Sequence, residues 1–263
     1  MAGHLTTYAC NKILNHVLKV TPYTPVTPKL TLFTADPTAA GVLTNEMVYT
    51  AFTARPTIAF GTAGTPSRGI TQGARVTFAT AADGSNACTH WGIADSATPG
   101  AGNLLAYGPL VIGKTVAAGY TPFVEAGEVI PTFAAGGIST AYAAKVLDWL
   151  FRAQTLTPAT HLYSTLHSAT CSDAAAGTEL TGNAYARTIM DAWTTSTAGV
   201  SSNSAEVVAT AASGDWTTAI HMAIYDHVSA ATDYMFWNDC NDLTVLSGEY
   251  ARWLVNQFMI TLA

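Results

Sequence analysis

The sharpest chemical motif in the chain is Gly108-Pro109-Leu110-Val111-Ile112-Gly113-Lys114-Thr115. It satisfies the G-x-x-x-x-G-K-[ST] spacing of a phosphate-binding loop, in which backbone N–H groups and a lysine cradle phosphate oxygens. That chemistry needs a helix to begin at the Lys-Thr pair, so that its N-terminus faces the phosphates. Here Gly119 and Pro122 follow too soon for a helix, and branched Val111 and Ile112 stand where the loop needs permissive backbone. A P-loop NTPase working through Lys114 is therefore the remotest reading. His90 with Asp95, and His221 with Asp226, are candidate acid/base pairs. Residues five apart on a strand point to opposite faces, so neither pair meets locally. Their recurrence points instead to a shared structural role, with the His bonding a loop and the Asp ending a strand in a turn. Other histidines, His4, His16, His161 and His167, lack metal-ligand spacing. No HExxH, nucleophile elbow or catalytic carboxylate pair occurs. We therefore expect no catalytic residue, no cofactor and no metal, and a chain that is not an enzyme.

The elements that would position such groups are duplicated. The helical stripe Ile13, Leu14, Val17, Leu18 returns as Val146, Leu147, Leu150, Phe151. Thr24-Pro25 returns as Thr157-Pro158, and Leu30 to Phe33 as Tyr163 to Leu166. Thr44-Asn45-Glu46 matches Gly177-Thr178-Glu179, and Tyr49 matches Tyr185. Ala79 to Ala82 matches Ala209 to Ala212, and His90 to Asp95 matches His221 to Asp226. Leu104 to Tyr107 matches Tyr234 to Trp237, and Thr115-Val116 with Gly119 matches Thr244-Val245 with Gly248. Chance in an Ala/Thr-rich chain produces one such match, not a collinear series. Aligning the copies also weakens the phosphate loop, because Asp242-Leu243-Thr244 stands where Gly113-Lys114-Thr115 stands first. The boundary falls at Ala134-Ala135-Gly136-Gly137, a short flexible linker, giving units 1–135 and 138–263.

Each unit is expected to open with a short amphipathic helix, the second capped by Ser139 or Thr140. Pro22, Pro25 and Pro158 end helix character. Strands are expected at Leu30 to Phe33, Arg75 to Ala79, Thr89 to Ala94 and Leu104 to Tyr107, with turns at Ala81 to Gly84 and Ser96 to Gly102. Short strands at this spacing predict a mainly β fold, two tandem antiparallel β-sandwich or barrel-like domains, each preceded by its helix.

Charged residues make up 11% of the 263 positions, against roughly 25% in a typical soluble domain. Net charge is −6 and no Lys/Arg cluster exists, which argues against a nucleic-acid partner. No apolar run approaches the roughly 20 residues a membrane helix needs, and Met1-Ala2-Gly3-His4 does not open a signal peptide. Cys10, Cys88, Cys171 and Cys240 fit neither a metal site nor a small-domain disulfide framework. Buried free thiols are expected, with an intersubunit disulfide as the alternative. Trp91, Trp149, Trp193, Trp237 and Trp253 fall mostly on periodic apolar positions and read as core or subunit contact. Trp216 follows the turn-forming Ser213-Gly214-Asp215 and is the best candidate for an exposed surface contact, such as a glycan.

The second unit resembles a domain common in tailed-bacteriophage structural genes. The resemblance rests on Leu162 to His167, Gly177 to Leu180, Asn183 to Arg187, Ser202 to Ala205, Ala209 to Trp216 and His221 to Asp226. Weaker versions in the first unit are Leu32 to Asp36, Thr44 to Glu46 and Asn103 to Gly108, where Tyr49-Thr50-Ala51 replaces the Tyr-Ala-Arg run. In that family's terms Asn103 to Val116 is a strand-turn-strand. The resemblance implies a β-sandwich scaffold and a virion structural protein, assembled in the host cytoplasm. The leading expectation is a capsid decoration or cement protein, held by the major capsid protein and by copies of itself. Its motive is a compact, charge-poor chain without heptads or a short-period shaft repeat. The alternative is a tail or tail-fibre component contacting a host glycan.

Overall fold

A computed structural model describes residues 2–64, 68–229 and 234–262. The elements of the first half are β1 (Ala2–Leu5), α1 (Thr7–Val17), β2 (Lys29–Phe33), β3 (Val76–Thr77), β4 (Ser85–Ala94), β5 (Leu104–Ala117), β6 (Phe123–Val124) and β7 (Ile130–Thr132). Those of the second half are α2 (Thr140–Arg152), β8 (Tyr163–His167), β9 (Thr188–Ile189), β10 (Val200–Ser202), β11 (Val207–Val208), β12 (Ala219–Tyr225), β13 (Tyr234–Leu243), β14 (Arg252–Trp253) and β15 (Met259–Thr261). The fold is mainly β. Its larger sheets run β2-β4-β5-β1-β7 and β13-β12-β8-β9, flanked by two-stranded pairs, and none closes into a barrel. Among the described residues all strand pairings are antiparallel except β1 with β7.

The helices form where the apolar stripes place them, and their caps do two jobs. Thr6 accepts from the Ala9 N–H and donates its hydroxyl to Leu104 O at the start of β5. Ser139 accepts from the Tyr142 N–H and donates to Tyr234 O at the start of β13. Each cap thus satisfies an orphan helix donor and pins the helix to the sheet. The first half does not open with its helix, because β1 precedes α1. Its strand character comes from packing, since β1 is inserted between β5 and β7. Gly3 makes that insertion possible: a Cβ there would lie 2.3 Å from the Trp91 ring and 2.4 Å from Tyr107 O. Gly3→Ala is expected to destabilise the protein by about 1–3 kcal/mol through overpacking, readable as a lowered urea midpoint at unchanged slope.

The duplication extends to individual hydrogen bonds. Phe60 bridges Gln72 as Trp193 bridges Asn203, and both buried amides turn inward. Gln72 Nε2 donates to Ala74 O, and Asn203 Nδ2 to Ala205 O. The β2 and β8 segments align one residue further along than their apolar pattern implies. Phe33 pairs with His90 and bridges Glu46, whereas His167 pairs with His221 and bridges Glu179. Phe33 therefore matches His167, not Leu166. Three predicted strands also change extent: Arg75 to Ala79 contracts to β3, Thr89 to Ala94 extends back to Ser85 in β4, and Leu104 to Tyr107 runs on to Ala117 in β5.

The two halves share one apolar core. His16 of α1 and Trp149 of α2 stack at 4.4 Å with their planes 13° apart, and Phe60 meets Phe151 at 5.3 Å. The polar contacts are reciprocal. Asn15 Oδ1 accepts from Ser196 N in the second half, and Asp148 Oδ1 accepts from Ala63 N in the first. Such exchange is the mark of an approximate twofold relation between the halves.

Candidate functional site

The phosphate-loop motif is not a loop. Gly108 to Thr115 lies inside β5, a strand of 14 residues paired with β4 on both sides of a bulge at residues 110–113. It contains neither the helix start a phosphate site needs nor the turn expected between two strands. A bulge absorbs the extra residues: Cys88 faces Lys114 while His90 faces Pro109. Lys114 pairs with Glu128 at 3.3 Å and lies over the Phe123 ring, so its charge is committed within the fold.

The His/Asp pairs are likewise not assembled for acid/base work. Asp95 accepts from Asn103 N at 2.6 Å and from Asn103 Nδ2 at 2.9 Å, closing the turn after β4. His90 Nδ1 faces the neighbouring Thr89 hydroxyl. His221 lies on β12 against the Trp237 ring. Asp226 follows the end of β12. No group of three or more His, Cys, Asp or Glu among the described residues is placed to hold a metal. Nor is any described helix long and apolar enough to cross a membrane.

Cys10, Cys88 and Cys171 are buried, Cys240 is half-buried, and none forms a disulfide within the chain. Burial pushes the Cys10 thiol up to about 12 and that of Cys88 to about 11, leaving both without thiolate character at neutral pH.

Trp216 is not the exposed aromatic its turn neighbours implied. It is 6% exposed, donates its indole N–H to Asn183 O, and meets Tyr185 edge-on at 5.3 Å. The Gly214 turn is covered by Asn183, so the ring falls inward. Among the tryptophans, Trp237 and Trp253 are the half-buried ones.

What the halves build twice is a carboxylate–guanidinium fork. Glu46 accepts from Arg55 Nε at 2.6 Å and from Arg55 Nη2 at 2.8 Å. Glu179 accepts from Arg187 Nε at 2.9 Å and from Arg187 Nη2 at 2.7 Å. Such bidentate pairs give direction as well as strength. In the first half the network is closed. Glu46 also accepts from the Thr31 hydroxyl and from Gly100 N, and Arg55 Nη1 donates to Ser96 O and Ala101 O. In the second, Arg187 reaches His227 O and lies over the Tyr225 ring. Each fork thus ties the carboxylate-bearing connector to the loop that follows β4 in one half and β12 in the other. The Arg absent from Tyr49-Thr50-Ala51 is supplied by Arg55. The separations differ, nine residues in one half and eight in the other, which hides the equivalence from a linear match.

His167 stands beside the second fork. Its Nδ1 meets Gly177 O at 3.0 Å and its Nε2 the Thr165 hydroxyl at 2.8 Å. Burial holds this imidazole below its ordinary value of 6.5. The folded state therefore keeps His167 neutral at a pH where the unfolded chain takes up a proton. Its stability contribution is complete above the unfolded pKa and is lost as pH falls from there through the lower folded-state pKa. Melting temperature is expected to fall on acidification below about pH 6.5, and His167→Gln to flatten that part of the profile.

These networks hold strands and loops together, and none presents an assembled reactive group. No curated protein matches the chain. The family model described as podophage GP4 fiber I protein gp80 matches it twice, over residues 4–132 and 137–261. Both copies of the fork lie within those segments, and the chain belongs to this family of phage virion structural proteins.

Proposed function

We propose that the chain is a fibre component of the virion and is held in place partly by copies of itself. The observation that carries this reading is the match of both halves to a family whose description names a fibre protein. The surface fits a lasting assembly: charge is sparse, and Val48, Val111 and Ile112 stand 75%, 54% and 72% exposed. The chain supplies a compact body of the fibre rather than its shaft. Its two helices have 11 and 13 residues, and its strands form no short-period solenoid among the described residues.

The same lack of a shaft favours a second reading, a decoration or cement protein on the head shell. Gold labelling of tagged protein on intact particles separates the two. Gold on fibres supports the first reading. A regular array over the head, with fibres unlabelled, replaces it with the second.

A further inference from the structure

The halves serve as internal references for one another, and they diverge sharply at one place. In the first, Trp91 is fully buried and pairs across the sheet with Gly108. Its indole occupies space that only glycines leave free: a Cβ on Gly3 would lie 2.3 Å from the ring, and one on Gly108 2.6 Å. In the second half Met222 pairs with Asn238 at the matching register. The indole is gone and the facing glycine has become an asparagine. A cleft of about 300 Å³ opens beside Met222, with Trp253, Phe258 and Leu243 also lining it.

The rim of this cleft is also particular to the second half. The β13 bulge sets Leu243 opposite Ala219 and Asp239 opposite His221. Asn241 and Asp242, at φ 55° and 53°, carry the chain around it, and Asp239 Oδ1 accepts from Asn241 N. The corresponding β5 bulge instead buries Leu110 and points Val111 and Ile112 outward. One half thus has a filled core under an aliphatic bulge. The other has an open cleft under a polar one.

From this geometry we infer that the cleft around Trp253 is a saccharide-binding site. A pyranose ring has one apolar C–H face and a girdle of hydroxyls. The half-buried indole of Trp253 supplies a partner for the face, as aromatic rings at wet surfaces do. The Asn241 amide donates and accepts, Gln257 donates through Nε2 while its Oε1 accepts from Leu254 N, Asp239 accepts and Arg252 donates; the Asn238 amide is held by Met259 O and Asp239 N. Arg252 is paired with Glu206 at 3.4 Å and Asp239 adds a carboxylate, so the rim carries no surplus positive charge for a phosphate or a carboxylate and suits a neutral polyol better. The volume lies at the lower end of ligand pockets, the size of one or two sugar rings. The site stands whether the chain is mounted on a fibre or on the shell.

The test uses the full-length protein with methyl α-glucoside, methyl α-galactoside, methyl α-mannoside, methyl α-rhamnoside and N-acetylglucosamine as probes. Saturation-transfer NMR and tryptophan fluorescence are expected to show saturable binding of at least one. The double substitution M222W/N238G rebuilds the first half's filled arrangement and is expected to weaken that binding about tenfold or more. Arg252→Ala alters an exposed rim residue and is expected to weaken it about fivefold, the worth of one net hydrogen bond. Absence of saturable binding to every probe overturns the proposal. So does binding that R252A leaves unchanged, whether or not the double variant folds.

Discussion

Arg55→Ala is expected to destabilise the protein by about 3–5 kcal/mol, the cost of leaving one partner of a buried ion pair uncompensated. The Arg55 side chain is 0% exposed and that of Glu46 4%, so solvent cannot take over the lost partner. Removing the guanidinium leaves the buried carboxylate without its counter-charge, with only Thr31 and Gly100 N as donors, and frees two carbonyls of the loop, Ser96 O and Ala101 O. Chemical denaturation with a two-state fit measures the loss. Glu46→Ala is expected to cost a similar amount, because Gly100 N and Thr31 lose their acceptor together with Arg55. The second fork sets the control. Glu179 is 25% exposed and keeps the Tyr185 hydroxyl as a donor at 3.3 Å. Arg187→Ala is therefore expected to cost clearly less than Arg55→Ala. Equal losses would mean that burial is not what makes the first fork matter.

Trp149→Ala is expected to cost about 3–5 kcal/mol, the range for removing a large aromatic from a packed core. Trp149 is 4% exposed, stacks on His16 and meets Tyr23 edge-on at 5.9 Å, so the cavity opens between the halves. The consequence reaches beyond one half. Each helix accepts a hydrogen bond from the opposite half, through Asn15 and Asp148, and the rings between them are shared. The protein is expected to melt in a single calorimetric transition whose van't Hoff and calorimetric enthalpies agree. W149A is expected to move that transition down as a whole. Two resolved transitions in the wild type, or a loss confined to one of them, would show that the halves fold separately.

These effects were unevenly legible in the sequence. The helix stripes placed α1 and α2 and narrowed the second cap to Ser139 or Thr140, of which the structure uses Ser139, because helix periodicity and capping are local properties. The glutamates of both forks lay in matched segments, but Arg55 did not. A guanidinium on a long side chain can reach its partner from a neighbouring backbone position, so the contact survives a change in spacing that breaks the linear match. Trp216 was misplaced for a related reason. Its turn is real, yet a turn specifies only the path of the backbone. Asn183, distant in sequence, covers that turn and receives the indole N–H. The phosphate-loop pattern failed in the same manner: eight residues with the right spacing became strand because β4 pairs with both ends of the run, Gly108-Pro109 and Lys114-Thr115, across a bulge.

By itself, then, the sequence determined the mainly β class, the duplication, the helix positions and the poverty of charge. These depend on patterns within a few residues or on composition. The tertiary structure alone decided which Arg meets Glu46, which tryptophan stays near the surface, how the helices are shared, and where a cleft opens beside Met222, the counterpart of Trp91. Each of those depends on which distant backbone approaches, and on whether the space it leaves is filled.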